Sequence, residues 1–122
     1  IRHTYKLTEA QFQSQIIQMA RALGFMVAHF RPGKNARGKW MTAVAGDGAG
    51  FPDLVLVHEK TGDTLFVELK RDGVKLKDPA QLRWGAALSL QGEYRVWRPD
   101  DFDEARLRLS NNRGKTEIKK VM

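Results

Sequence analysis

Two neighbouring stretches decide the fold: Pro52-Asp53-Leu54-Val55-Leu56-Val57-His58 and Thr64-Leu65-Phe66-Val67-Glu68-Leu69-Lys70. Each carries a short run of Leu, Val and Phe, the pattern of a strand with a buried face. Residues 59–63, Glu-Lys-Thr-Gly-Asp, lie between them and are few enough for an antiparallel hairpin. In such a hairpin the start of one strand lies beside the end of its partner, so Asp53 falls next to Glu68 and Lys70. Residues two apart on a strand point to the same face, so Glu68 and Lys70 project together. Two carboxylates and one ammonium are expected to converge at one end of a sheet.

Working outward, residues 8–23 read as an amphipathic helix, with Phe12, Ile16, Met19, Ala20 and Leu23 on the 3.6-residue period. Thr8 and Gln11 have capping-box spacing, and Gly24 ends the helix. Residues 25–30, FMVAHF, read as a strand. Residues 31–50 are rich in Gly, Lys and Arg and have no clean period, which suggests a functional or mobile loop. Asp78 as N-cap and Pro79 at the first helical position open a second helix to about residue 90, followed by Gly92. Residues 94–97, YRVW, return as a strand, and Pro99 and Asp100 start a shorter helix to about residue 109. The last segment, 110–122, is a basic tail expected to fray.

The order is therefore α-β-β-β-α-β-α. A helix joining the third strand to the fourth makes that pair parallel, with a right-handed crossover. The expected fold is α/β, or α+β, with a small mixed sheet flanked by helices. At 122 residues the chain suits one domain, 1–122, with its core at about 8–109.

Composition excludes several classes. With no cysteine there is no disulfide framework, Cys-ligated zinc, iron–sulfur cluster or thiol catalysis. No apolar run approaches the ~20 residues of a membrane helix. The first ten residues show no apolar segment of the secretory-signal kind. A hydrophobic content of 42% favours a folded protein. The net charge of +7 favours a polyanionic partner, nucleic acid ahead of an acidic membrane surface.

The carboxylates Asp53 and Glu68 suit Mg²⁺ or Mn²⁺, which take one or two carboxylates together with water and phosphate oxygens. An ion held there lowers the pKa of a bound water and offsets phosphate charge. Lys70 is placed to poise the attacking water or to stabilise the developing negative charge. Without a cation the carboxylates repel, and one tends to stay protonated. The plainer alternative is a solvated Glu-Leu-Lys strand end and a turn aspartate before a buried strand.

Gly50-Phe51-Pro52-Asp53-Leu54, Phe66-Val67-Glu68-Leu69-Lys70, Gly73, Gln81 with Trp84, and Val96-Trp97-Arg98-Pro99 resemble the VRR-NUC nucleases of the PD-(D/E)XK superfamily. The resemblance runs from about residue 8 to residue 109 and is to the stand-alone phage or bacterial form, akin to Holliday-junction resolvases. It implies a restriction-endonuclease-like core, metal ligation by Asp53, Glu68 and the backbone carbonyl of Leu69, and Lys70 as the catalytic lysine. It also implies that Gln81 faces the site, although Gln81 is equally placed to complete a capping box with Asp78. Trp84 shares its helical face and reads as core.

Many relatives carry an acidic residue on the first helix. Here the candidates are Gln13, nearer the family's position, and Glu9, which has an alternative role at the helix dipole. His29, on the strand before the loop, reads as a packing or hydrogen-bonding residue ahead of a phosphate ligand. Arg31, Lys34, Arg37, Lys39 and Trp40 crowd the Gly-rich loop and suit a DNA-gripping role. The tail cluster around Lys119 and Lys120 has a weaker claim.

The resemblance thus implies a Mg²⁺- or Mn²⁺-dependent endodeoxyribonuclease that leaves 5′-phosphate and 3′-hydroxyl ends. Branched DNA, four-way junctions first, is the expected substrate, a homodimer the expected assembly, and an intracellular location the expected setting. The alternatives are a catalytically weak DNA-binding module, or a nuclease for flaps, single strands or RNA.

Overall fold

The computed structural model describes residues 7–30, 33–34, 40–41 and 46–111, with backbone alone at 33–34 and 40–41. Helix α1 (Glu9–Ala22) starts at the capping box that the sequence suggests. Thr8 Oγ1 accepts from the Gln11 N–H at 3.1 Å, and the Gln11 side chain accepts from the Thr8 N–H at 2.9 Å. Its buried residues Phe12, Ile16 and Ala20 are four apart and so form one stripe. Leu23 caps its C-terminus.

Strand β1 (Phe25–His29) follows, then two-residue strands β2 (Gly33–Lys34) and β3 (Trp40–Met41), which pair antiparallel. Residues 31–50 therefore contain regular structure that the missing sequence period concealed. Strands β4 (Leu54–His58) and β5 (Thr64–Leu69) form the expected antiparallel hairpin. Helix α2 (Pro79–Gln91) crosses over to β6 (Tyr94–Trp97), which is parallel to β5. The four-stranded sheet has the order β1-β4-β5-β6. Phe30, Asp53 and Lys70 fall one residue outside their strands, but hydrogen bonding continues past the ends. Phe30 N–H donates to Asp53 O and Lys70 N–H to Trp97 O, both at 3.0 Å.

Pleating divides the sheet into two faces. Leu54, Leu56, Leu65, Val67, Leu69 and Trp97 form one core with the α1 stripe and with Ala105 and Leu109 of α3 (Phe102–Ser110). Each fully buried leucine there contributes about 1.5–3 kcal/mol. Pro99 opens a 3₁₀ turn, Pro99–Asp101, before α3 begins, so the α-helix starts later than its proline suggests. The opposite face carries Asp53, Phe66, Glu68 and Tyr94 beneath α2. Phe51 organises this second layer, meeting the rings of Phe30, Phe66 and Trp84 edge-on at 5.5, 6.1 and 5.0 Å.

Helix α2 approaches closely because glycine lies at its contacts. Gly50, at φ +85°, would place a Cβ 2.5 Å from Ala80 Cβ and 2.6 Å from the Ala80 carbonyl carbon. That contact seats the helix N-terminus over the end of the sheet. On the far side, buried Arg108 on α3 joins two acids. Its guanidinium donates to both Asp63 oxygens at 2.9 and 2.7 Å and to both Glu93 oxygens at 2.8 and 2.7 Å. The β4–β5 turn, the start of β6 and α3 are thereby tied together.

Candidate active site

Asp53 and Glu68 meet because of strand register. Leu54 pairs with Val67, so one step outward sets Asp53 opposite Glu68, both on the α2 face. The Leu69 N–H donates to Asp53 Oδ2 at 2.8 Å, which fixes that carboxylate at the end of the hairpin. Glu68 is only 2% exposed. Gln81 Nε2 donates to Glu68 Oε2 at 3.3 Å, reaching down from the first turn of α2.

The sequence left Gln81 two roles, and the geometry separates them. Asp78 Oδ1 accepts from the N–H groups of Ala80 and Gln81 at 2.8 and 3.4 Å, capping the helix. The Gln81 side chain goes to Glu68 rather than back to Asp78. Pro79 at the helix start lets the chain turn directly from Asp78 into the helix.

The electrostatics are those of a crowded acid pair. The Glu68 pKa is pushed up to about 8, first by burial, then by the charge of Asp53 and a hydrogen bond shared with it. Lys70 pulls it back down, so the ammonium acts on Glu68 across the end of β5. Among the described residues, the buried Glu68 Oε1 and Gln81 Oε1 have no hydrogen-bond partner. A buried carboxylate oxygen without a donor is unfavourable unless a proton or a cation meets it.

The two first-helix candidates separate. Gln13 Nε2 lies 3.1 Å from His29 Nδ1, and His29 pairs with Leu54, on the sheet face away from Glu68. The Gln13 side chain is therefore engaged by His29, in the hydrogen-bonding role read for that histidine. Glu9 is exposed, and its charge contributes to the rise at Glu68. Trp84 is half-buried, packs on Phe51 and donates its indole N–H to Asp47 O at 2.9 Å. Arg31, Arg37 and Lys39, like the tail from residue 112, lie outside the described residues. Lys34 and Trp40 fall in β2 and β3, where only the backbone is described.

Two contributors had escaped the sequence reading. Gly50 sets the height of α2, and hence of Gln81, above the carboxylates, a role that its place in the Gly50–Leu54 stretch of the resemblance does not reveal. Tyr94 read simply as a strand residue. Its buried hydroxyl has no partner among the described residues, and its pKa is pushed up to about 12, first by burial, then by the charges of Glu68 and Asp53. The phenol therefore shares the field of the acid pair.

Two carboxylates and a lysine at adjoining strand ends of a small mixed sheet are the arrangement that the resemblance to the PD-(D/E)XK nucleases implies. The sequence model of the VRR-NUC domain matches residues 6–97. A solved structure titled "VRR_NUC domain" superposes with a TM-score of 0.56 at 26% identity, covering 79% of this chain and 90% of that one. Among curated proteins no match is found. The chain belongs to the VRR-NUC domain family, a family of nuclease domains. No helix among the described residues is long and apolar enough to cross a membrane.

Proposed function

We propose that the protein is a Mg²⁺- or Mn²⁺-dependent endodeoxyribonuclease that hydrolyses phosphodiester bonds in branched DNA. The observation that carries this reading is the buried Glu68 Oε1, without a hydrogen-bond donor among the described residues, on a carboxyl that register sets beside a second one. The donor set fits a hard divalent cation. Asp53 and Glu68 would hold it through carboxylate oxygens and Leu69 through its carbonyl, a donor set of the kind Mg²⁺ takes along with water and phosphate oxygens. A bound cation supplies Lewis acidity, lowering the pKa of water and neutralising phosphate charge.

The protein side chains divide the remaining work. Asp53, held by the Leu69 N–H, and Glu68, held by Gln81, keep their oxygens oriented as ligands. Lys70, half-buried beside Glu68, orients the attacking water and offsets charge developing on the phosphate oxygens. Water attacks phosphorus, the bond to the 3′ oxygen breaks, and that oxygen takes a proton. The products carry a 5′-phosphate and a 3′-hydroxyl.

Four-way junctions are the leading substrate within branched DNA. Resolving one takes two symmetric cuts, for which a C₂ homodimer is the economical assembly. An intracellular setting follows from such a substrate. The test incubates labelled duplex, flap and four-way DNA with Mg²⁺, Mn²⁺ or EDTA. Metal-dependent cleavage of branched DNA, lost in Asp53→Asn and Lys70→Ala, is the expected result. A monomeric mass in solution combined with paired nicking of junctions would remove the dimer from the account.

One observation favours a second reading, a catalytically weak DNA-binding module. Gln13, the first-helix candidate, is a neutral amide engaged by His29 and adds no acid to the pair. Tight, salt-sensitive binding without cleavage in any metal is the outcome that selects it.

A further inference from the structure

Seven residues, 71–77, join β5 to α2, and both ends of this connection lie in the candidate active site. It leaves at Lys70, whose N–H donates to Trp97 O at 3.0 Å. It returns at Asp78, which caps the helix that carries Gln81. Exposure alternates along it: Arg71, Gly73, Lys75 and Lys77 are exposed, while Asp72, Val74 and Leu76 are half-buried. Over residues 74–77 that is the alternation of an extended chain with one side on the protein, while residues 71–74 form a turn. Every exposed position is a cation or a glycine.

The connection is held in place rather than slack. Arg98 donates through Nε and Nη2 to Val74 O at 3.1 and 2.6 Å. Asp72 Oδ1 accepts from the Asp100 N–H at 3.1 Å. The Val74 N–H closes a turn on Arg71 O at 3.2 Å around Gly73, whose φ of +77° favours glycine. Among the described residues, Arg71, Lys75 and Lys77 form no ion pair. A polar cavity of about 640 Å³ opens between Arg71, Asp72, Gly73 and Val74 and the Leu7–Glu9 start of the first helix. The connection therefore borders the side of the site where Glu9 lies.

We propose that residues 71–77 form a preorganised cationic ridge that binds the phosphodiester backbone of DNA beside the scissile position, with Arg71, Lys75 and Lys77 contacting phosphates. The position of the cut strand rests on the nuclease reading; the binding itself does not require catalysis. A solvated charge run needs no anchoring, whereas this one engages the Arg98 guanidinium and the Asp100 N–H of the segment after β6. Fixing the backbone beforehand lowers the ordering entropy lost when phosphate is bound. Each phosphate contact releases condensed counterions, so the ridge has a distinct signature in salt dependence.

The test uses the full chain and fluorescently labelled duplex DNA in EDTA, with anisotropy recorded over a salt series. The double variant Lys75→Gln/Lys77→Gln is expected to bind roughly tenfold more weakly at about 0.1 M salt. The slope of log K against log salt is expected to fall in magnitude by about 2. Arg21→Gln/Arg106→Gln, two exposed arginines on α1 and α3, removes the same charge elsewhere and is expected to leave the slope unchanged. Each single lysine variant is expected to lower the slope by about 1, which covers a double variant that folds poorly. An unchanged slope in the lysine variants, or an equal fall in the arginine control, overturns the ridge. In Mg²⁺ the lysine variants should raise KM for cleavage and leave kcat unaltered. Ridge-dependent binding by a protein that never cleaves would sink the nuclease reading alone; cleavage with a ridge-independent slope would sink the ridge alone.

Discussion

Gln81 on α2 donates to Glu68 on β5 across 3.3 Å, and the N-terminus of a crossover helix thereby serves the end of the strand that precedes it. Gln81→Ala removes that donor and leaves a second oxygen of a buried carboxyl unmatched. Loss of such a supporting contact typically lowers metal affinity or activity by about 10–100-fold. The expected result is a fall of that size in cleavage, with weaker Mn²⁺ binding in calorimetry.

Gly50 controls the same relationship from below. A Cβ there would lie 2.5 Å from Ala80 Cβ and 2.8 Å from the Gln81 nitrogen. Gly50→Ala should therefore lower stability by about 2–4 kcal/mol, combining overpacking with left-handed strain. Gly62, at φ +76° with nothing within 4 Å of an added Cβ, isolates the strain. Gly62→Ala should lower stability by only about 1–2 kcal/mol. Urea denaturation of both variants checks the difference.

Buried Arg108 ties Asp63 and Glu93 together. Arg108→Ala removes four hydrogen bonds to Asp63 and Glu93, the latter keeping Arg95, and should lower stability by about 3 kcal/mol. Burial raises the Glu93 pKa, but the hydrogen bonds from Arg108 and Arg95 more than offset it, so the net shift is downward from 4.5. The stabilisation linked to Glu93 is then fully present above 4.5 and is lost as pH falls through the lowered folded-state value. Melting temperatures measured from pH 7 downward should drop below about 4.5 in the wild type. In Arg108→Ala that acid-side drop should flatten.

The acid pair should be stabilised by a divalent ion. At a concentration a hundredfold above its Kd, Mg²⁺ or Mn²⁺ should add about 2.7 kcal/mol to stability. Glu68→Gln relieves the buried repulsion, so without metal it should melt above the wild type, and it should show little response to added metal. Thermal melts with and without EDTA test both statements.

The strands, helices and acid pair were legible because they rest on local signals. Alternation, a capping pair and a short hairpin connection bring Asp53 to Glu68 without any distant contact. What the sequence concealed depends on partners far along the chain. Arg108 meets Asp63 across 45 positions, and nothing near either residue marks it as buried. Arg98 reads as the residue before a proline, yet it anchors a carbonyl 24 positions earlier. The lysines at 75 and 77 look like ordinary solvated charges until that anchor is seen. Gln81 was ambiguous for a related reason: its capping role is local, and its contact with Glu68 is tertiary.

The central claim is that Asp53 and Glu68 hold a divalent ion for phosphodiester hydrolysis assisted by Lys70. Its most direct test is the single-turnover cleavage rate of a labelled four-way junction in Mg²⁺, for the wild type, Asp53→Asn and Lys70→Ala. The account predicts cleavage by the wild type that EDTA abolishes, and a rate at least about a hundredfold lower in each variant, as expected when a group acting in the transition state is removed. Cleavage that persists in EDTA, or that survives both substitutions undiminished, would contradict it.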